Sequence, residues 1–192
     1  MRIIAGEARG RRLLAPKGMA TRPTTDRVRE AIFSVLAPRI CDSRVLDVFA
    51  GTGALGLEAL SRGAATACFI EKAQPALRIL HQNVDNLGLA GVRILAGDCL
   101  SIIPQLGPTF GEAPFDLVFL DPPYNKGFLA KTLTCLVNAD ILNNDARIVV
   151  ETKADLTEIR ALAGWEPIKI SKYGDTAVIY FAFERSAFCG QS

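Results

Sequence analysis

The stretch VLDVFAGTGALGLEAL, residues 45–60, decides the fold that this sequence predicts. It opens with an apolar run that is typical of a buried strand, and Gly51, Gly53 and Gly56 follow directly. Glycines allow a sharp turn and a close approach of the backbone to a ligand, and a helix-like segment comes next. The order of strand, glycine turn and helix predicts the first unit of an α/β domain, with a ligand crevice at the carboxyl end of the strand.

Strand-like and helix-like segments alternate outward from this stretch. The strand-like runs are continuously apolar, as expected of strands buried on both faces of a parallel sheet, so we predict a doubly wound α/β fold. Two final strands without a full helix between them predict an antiparallel hairpin at one edge. Strands are predicted at 44–49, 66–71, 92–97, 115–120, 146–152, 165–174 and 176–184. Helices are predicted at 53–63, 73–88, 127–138 and 154–164, with a short helix or turn at 99–106.

Length and composition describe an ordinary globular protein of 192 residues, 49% of them apolar, which we expect to form one core. No apolar stretch is long enough to span a bilayer, and the N-terminus lacks the pattern of a signal peptide. The five cysteines are odd in number and form no CxxC pair, which favours reduced thiols in the cytoplasm and argues against a zinc site.

The first part of the chain is strongly basic. Residues 1–44 hold ten Arg or Lys and four acids, a net charge of +6, whereas the rest carries −4. Residues 2–5 and 12–15 fit either a small hairpin or a basic coil, and a helix capped by Thr24 or Thr25 follows and ends before Pro38. The charge alone fits a polyanionic partner as well as a solvated basic face.

Acidic residues accompany the first three predicted strands. Glu71 stands twenty residues after Gly51, where a carboxylate can accept hydrogen bonds from ribose hydroxyls. Asp47 lies four residues before Gly51, where an acid would suit a cationic methionine moiety. Asp98 is placed to accept from an adenine amino group, or to cap the helix after it, and the Cys99 backbone N–H is a possible donor to the ring. The crevice fits NAD or S-adenosylmethionine (SAM), and Asp47 favours SAM.

A second stretch, LVFLDPPYNKGF at 117–128, ends a strand with a carboxylate, two prolines and a ring. Asp121 and the carbonyl of Pro122 can accept the two N–H groups of an exocyclic amine on a nucleobase, and the prolines fix that geometry in advance. Tyr124 offers a surface on which the base can stack. The one histidine, His81, falls within a predicted helix, so hydrolysis by a Ser-His-Asp triad is unsupported.

These residues resemble the RsmD family of bacterial 16S rRNA guanine-N2 methyltransferases. The resemblance spans nearly the whole chain and rests on RIIAGEARGRRL, TRPTTDRVREAIFSVL, VLDVFAGTGALGLEALSRGA, DPPY and YGDT. It implies a class I SAM-dependent methyltransferase, Rossmann-like, with a mostly parallel seven-stranded sheet at 44–192 and a basic, RNA-binding extension at 1–43 that covers the active site. It also implies methylation of guanine 966 of 16S rRNA, either as free rRNA or within a small-subunit particle. The cysteine pattern described above favours the cytoplasm and argues against a metal site.

The resemblance assigns expected roles by position. Its target-amine contacts are Asp121 and Tyr124, to which the chemistry of the loop adds Pro122. Its cofactor contacts are Asp47, Gly51, Gly53, Glu71 and Asp98, and we add Thr52 of the glycine turn and the backbone N–H of Cys99 as further candidates. Its RNA contacts near the target base are Arg22 and Thr24, and the charge pattern adds Arg9, Arg11, Arg12 and Lys17 as phosphate contacts.

Three other functions remain open at this point. An adenine-N6 DNA methyltransferase also uses a proline–proline–aromatic loop, although 192 residues leave little room for extra sequence to read DNA. An NAD-dependent oxidoreductase would leave DPPY without a role. A non-catalytic RNA-binding module would explain the basic extension but not the three acids.

Overall fold

The computed structural model describes residues 1–15, 26–110, 114–123, 127–160, 162 and 164–185. Seven strands form one sheet, and helices cover both of its faces. The strands are β1 Arg44–Val48, β2 Thr66–Glu71, β3 Val92–Ala96, β4 Phe115–Leu120, β5 Leu142–Lys153, β6 Pro167–Tyr173 and β7 Thr176–Ala182. The α-helices are α1 Asp26–Leu36, α2 Ala54–Ser61, α3 Gln74–Leu87, α4 Cys99–Phe110, α5 Phe128–Asn138 and α6 Thr157–Arg160.

The strand order confirms the predicted doubly wound fold. Across the sheet the strands run β3-β2-β1-β4-β5-β7-β6. Strands β1 to β5 are parallel, and β7 pairs antiparallel with both β5 and β6, which gives the expected hairpin at one edge. The chain order reverses between β1 and β4, and the crevice at such a switch point is where ligands bind in open α/β sheets.

Two apolar clusters hold the helices on the sheet. One cluster lies on the face covered by α1, α2 and α3, and the other lies on the face covered by α4, α5 and α6. Alternation along the strands divides β4 between them, since Leu117 and Phe119 belong to the first cluster while Val118 and Leu120 belong to the second. Both faces of the central strands are therefore buried, as the continuous apolar runs predicted.

The N-terminal extension packs into the first of these clusters. Within its first 15 residues, Arg2 and Arg12 form one antiparallel bridge, so this segment is a minimal hairpin. Ile3 and Leu13 are buried among α1, α2 and α3. The buried Glu58 of α2 accepts the backbone N–H groups of Ile4 at 2.8 Å and Ala5 at 3.0 Å. Residues 1–15 thus share the core of the following domain.

Three predicted elements differ from those observed by three or more residues at one end, and the others differ by at most two. Strand β5 starts at Leu142, four residues before its predicted start, because Leu142 pairs with Phe115 across a register shift. Helix α4 extends to Phe110 and is longer than the predicted short helix or turn. Helix α6 begins only at Thr157, since Leu156 has a φ of 60° and Asp155 caps the Thr157 N–H at 3.0 Å.

Among the described residues, no helix is both long and apolar enough to cross a membrane. Cys41, Cys68, Cys99 and Cys135 are free thiols, as the sequence predicted, and Cys189 lies outside the described residues. In the same part of the chain, no group of three or more candidate metal ligands comes together.

Candidate active site

The glycine turn follows β1 and is closely packed on both sides. Gly53 precedes α2 with a φ of 79°, and a Cβ there would lie 2.4 Å from Leu80 Cδ1. A Cβ on Gly56 would lie 2.3 Å from a ring carbon of Phe69 on β2. Both positions exclude a side chain, so the helix lies directly against the sheet and the backbone of the turn lines the crevice.

Glu71 reaches this turn from the end of β2. Its Oε2 accepts the Gly51 N–H at 2.7 Å, while its Oε1 accepts from the backbone of Lys72 at 2.8 Å and Ala73 at 2.6 Å. The structure therefore brings the predicted ribose acceptor against the predicted cofactor turn. The carboxylate also fixes the shape of that turn, a second role that the spacing alone did not indicate.

Asp98 lies beyond β3, on the same side of the crevice. Its Oδ1 accepts the Leu100 N–H at 3.0 Å, so it caps α4, and its Oδ2 pairs with Lys72 Nζ at 3.0 Å. The lysine hydrogen bond, followed by the backbone one, holds the pKa of Asp98 below its usual range. The neighbouring Cys99 is buried, and burial raises the pKa of its thiol.

Asp47 lies beneath the turn, where only 3% of its surface is exposed. Its Oδ2 accepts the Gly56 N–H at 2.9 Å, in the first turn of α2. Burial raises the pKa of Asp47 to about 7, and the nearby Glu71 carboxylate adds to this increase. In this structure Asp47 holds the start of the helix, and its predicted contact with a methionine moiety remains a prediction.

Asp121 follows β4 directly, at the switch point of the sheet. It is partly exposed, and Pro122 after it is buried. Burial raises the pKa of Asp121 above the usual aspartate range, and the carboxylates of Glu151 and Asp47 raise it further. Tyr124, the third predicted residue of this loop, lies outside the described residues.

Glu151 is a candidate site residue that the sequence did not lead us to expect. It lies near the end of β5, only 4% exposed, and contributes to the raised pKa of Asp121. Because it stands inside the apolar run RIVVET, we interpreted it only as part of a strand. The signal was available, since an acid at the carboxyl end of a buried parallel strand is what singled out Asp121.

The predicted RNA-binding residues fall into three groups. Arg9 and Arg12 are exposed on the extension. Arg11 donates from its guanidinium to the carbonyl of Leu87 at 2.7 Å and to that of Asn86, at the end of α3. Lys17, Arg22 and Thr24 lie outside the described residues.

Similar folds place the chain in a class of enzymes. A solved structure named "Putative methyltransferase yhhF" from Escherichia coli is 39% identical, with a TM-score of 0.84 over 96% of this chain and 98% of that one. A precorrin-6y C5,15-methyltransferase from Geobacter metallireducens, 16% identical, shares the fold with a TM-score of 0.67 over 90% and 94% of the two chains. Together with the sheet order and the glycine turn at its switch point, these matches define a class I, Rossmann-like methyltransferase.

The sequence comparisons identify the family. The model described as "Conserved hypothetical protein 95" matches residues 1–182. The ribosomal RNA small subunit methyltransferase D of Escherichia coli strain K12 is 39% identical over 187 residues, which cover 97% of this chain and 91% of that protein. The chain belongs to this family, the RsmD family, as its motifs predicted.

Proposed function

We propose that this protein transfers a methyl group from SAM to the exocyclic N2 amine of guanine 966 in 16S rRNA. The observation that carries the proposal is the position of Asp121, directly after β4 at the switch point and beside the glycine turn that follows β1. The name of the E. coli relative indicates the substrate class, small-subunit ribosomal RNA. We infer that the protein works in the cytoplasm, on the rRNA of a small-subunit particle.

The residues at the crevice fit a cationic cofactor. Asp47, Asp121 and Glu151 bring three carboxyl groups to one edge of the sheet, and Asp121 holds its proton more tightly because of the other two. A cation beside them would relieve that repulsion. When bound, SAM supplies a methyl group on a positively charged sulfur. Gly51, Thr52, Gly53, Glu71, Asp98 and Cys99 would hold its remaining parts.

Asp121 and Pro122 would bind the target amine. The lone pair of an exocyclic amine is delocalised into the base, so the amine is a poor nucleophile. Asp121 accepts one N–H and the Pro122 carbonyl accepts the other, which directs the lone pair away from the ring. Tyr124 would stack on the base, a contact worth about 1–3 kcal/mol. The proline pair keeps the acceptors in place before the base arrives.

The extension would hold the RNA. Arg9 and Arg12 are exposed on a segment that hydrogen bonds and apolar packing fix to α2. This attachment gives the two guanidinium groups a defined position relative to the crevice. Arg22 and Thr24, between the extension and α1, are proposed to contact the RNA near the target base.

The proposal is tested by methyl transfer from labelled SAM to 16S rRNA and to small-subunit particles that lack the modification. We expect N2-methylguanine at position 966, located by mass mapping. Asp121→Ala should lose most turnover and keep its affinity for the cofactor, and Tyr124→Ala should lose more turnover than Tyr124→Phe. Asp85→Ala, on the exposed side of α3, is the matched control. Turnover by Asp121→Ala at the wild-type rate would contradict the role of that loop.

An adenine-N6 methyltransferase is the second candidate, because the Asp-Pro-Pro-Tyr sequence suits that amine equally well. The mass map separates the two candidates. N6-methyladenine in place of N2-methylguanine would overturn the proposed target and favour this alternative.

A further inference from the structure

Glu151 of β5 has no direct role in the methyl transfer proposed above. Leu120 on β4 pairs in parallel register with Val150 on β5, so Asp121 and Glu151 follow at the same level of neighbouring strands. Adjacent strands are about 4.8 Å apart, which is close enough for two carboxyl groups to interact directly. Glu151 is nevertheless almost fully buried, where an acidic residue is rarely found without a specific reason.

Strand alternation places both acids on the same face of the sheet. Val149 lies two residues before Glu151 and packs in the cluster under α1 and α2, together with Phe119, which lies two residues before Asp121. Asp47 is the register partner of Phe119, so it belongs to this face as well. The three carboxyl groups therefore lie on the face of the sheet that α1, α2 and α3 cover.

We propose that Glu151 is a positioning residue for methyl transfer, whose carboxylate beside Asp121 makes the ionised Asp121 a better acceptor for the proton of the target amine. The inference rests on the proposed function for its purpose, but the pairing itself is a property of the free protein. Two adjacent carboxyl groups do not both ionise readily, so the free protein holds one proton on the pair at pH values where an isolated aspartate is ionised. Asp121 can accept the amine proton only after that proton has left.

The proton balance of this step is simple. The amine must lose one proton when its nitrogen gains a methyl group. When both carboxyl groups of the pair are ionised, that proton passes from the nitrogen to the Asp121 carboxylate, and it leaves for solvent before the next turnover. With Glu151 beside it, Asp121 holds the proton more firmly than an isolated aspartate would.

Other charged and titratable groups surround the pair among the described residues. On the strands, Lys153 follows Glu151 by two residues on β5. Tyr173 of β6 lies on the other side of Thr176 of β7, which is the register partner of both residues. On the helices of this face, the buried Arg29 of α1 forms an ion pair with Glu58 of α2 at 3.6 Å. Further groups on this face are Asp47 on β1, Glu71 on β2, Tyr180 on β7, Asp26 on α1, and Arg62 after α2.

The pairing can be measured without cofactor or RNA. Aspartate labelled with ¹³C at its carboxyl carbon, with the Asp121 signal assigned through Asp121→Asn, reports the titration of that one group. We expect a titration above the usual aspartate range and spread over two steps. Glu151→Gln removes the neighbouring charge at nearly constant volume, so it should lower the Asp121 midpoint by about one pH unit or more. Glu151→Asp should keep the midpoint raised.

Activity provides the second measurement. The acidic limb of the pH profile of kcat should move in the same direction as the Asp121 midpoint in Glu151→Gln. Glu166→Gln, an exposed residue before β6, should change neither value. If Glu151→Gln fails to fold, the wild-type curve alone decides, because a single-step titration within the usual range would overturn the pairing.

The failures of the two proposals are distinguishable. An Asp121 titration that is the same in wild type and Glu151→Gln overturns the role of Glu151, whatever the protein methylates. A titration that moves, in a protein that does not methylate 16S rRNA, supports the pairing and overturns the proposed function.

Discussion

Asn83 of α3 donates from its side-chain nitrogen to the carbonyl oxygen of Thr52, in the glycine turn, at 3.0 Å. The same buried amide accepts the Leu14 N–H at 2.7 Å and donates to the Leu14 carbonyl at 3.2 Å. One side chain therefore joins the proposed cofactor turn to the last part of the extension that precedes residues 16–25.

The first prediction concerns this junction. Asn83→Ala leaves three backbone groups, two on Leu14 and one on Thr52, without their side-chain partner. An unsatisfied buried polar group costs about 1–3 kcal/mol, so we expect the free energy of unfolding to fall by about 2–4 kcal/mol. Urea denaturation measures the change, and Gln82→Ala, the exposed neighbour on the same helix, is the control. Equal stability of the two variants would show that the junction contributes little.

The sequence predicted those features of the fold that depend on local pattern. Continuous apolar runs located the strands, and glycines located the turn, because both effects act within a few residues. The predicted starts of β5 and α6 were wrong. The first depends on a tertiary contact and the second on a local backbone conformation. Leu142 is a strand residue through its pairing with Phe115, and Leu156 adopts a left-handed φ that delays the helix.

The candidate site was predictable to a similar extent. Asp121 and Glu71 were predicted because each belongs to a motif or a fixed spacing, and the structure places both at the crevice. Glu151 ends a buried strand as Asp121 does, but no motif follows it, so its position beside Asp121 became visible only in the structure. Asn83 carries no sequence signal, because its partners lie on the glycine turn and the extension. Arg11 was predicted as a phosphate contact from its charge alone, and its contacts with the end of α3 became visible only in the structure.

The second prediction is a dependence of stability on pH through Asp47. In the unfolded chain this aspartate ionises with a pKa of 3.8, whereas burial raises its pKa to about 7 in the folded protein. Between these values the folded state binds more protons, so the cofactor-free protein should lose stability as the pH rises through this window. Asp47→Asn keeps an oxygen for the Gly56 N–H and does not titrate.

The variant should therefore gain stability relative to wild type across the same window, by about 1–4 kcal/mol. Urea unfolding at several pH values measures the difference, with Asp85→Asn as an exposed control. Parallel curves for wild type and Asp47→Asn would mean that Asp47 titrates normally.

The third prediction identifies the cofactor through Glu71. Glu71→Ala should weaken the binding of SAM or its demethylated product by about 1.5–3 kcal/mol, because the carboxylate is a charged hydrogen-bond acceptor. Part of this loss in binding free energy should come from distortion of the glycine turn, because the Gly51 N–H also loses its partner. Glu71→Gln keeps one acceptor oxygen and should lose less. Calorimetry measures both, with Glu30→Ala on the exposed side of α1 as the control. Tight binding of NAD without any SAM signal would contradict a methyltransferase.

The last prediction separates two kinds of arginine on the extension. Each phosphate contact releases counterions, so the affinity for RNA should fall with salt by a slope of about 0.7–0.9 per contact. Replacing Arg9, Arg12 and Lys17 together by Ala should weaken RNA binding and flatten the slope. Arg11→Ala should instead lower stability, since its guanidinium caps carbonyls at the end of α3. Arg22→Ala should reduce turnover more than it changes the slope.

A salt titration of RNA binding, followed by fluorescence anisotropy, measures these slopes. The matched control is the triple replacement of Lys131, Lys169 and Lys172, which are exposed cations on α5 and β6. Because the control removes the same formal charge from other elements, it should retain most of the wild-type slope if the contacts lie on the extension. Equal flattening in both triple variants would mean that net charge, rather than the extension, governs RNA binding. A flatter slope in Arg11→Ala with unchanged stability would mean that Arg11 contacts a phosphate, as its charge predicted.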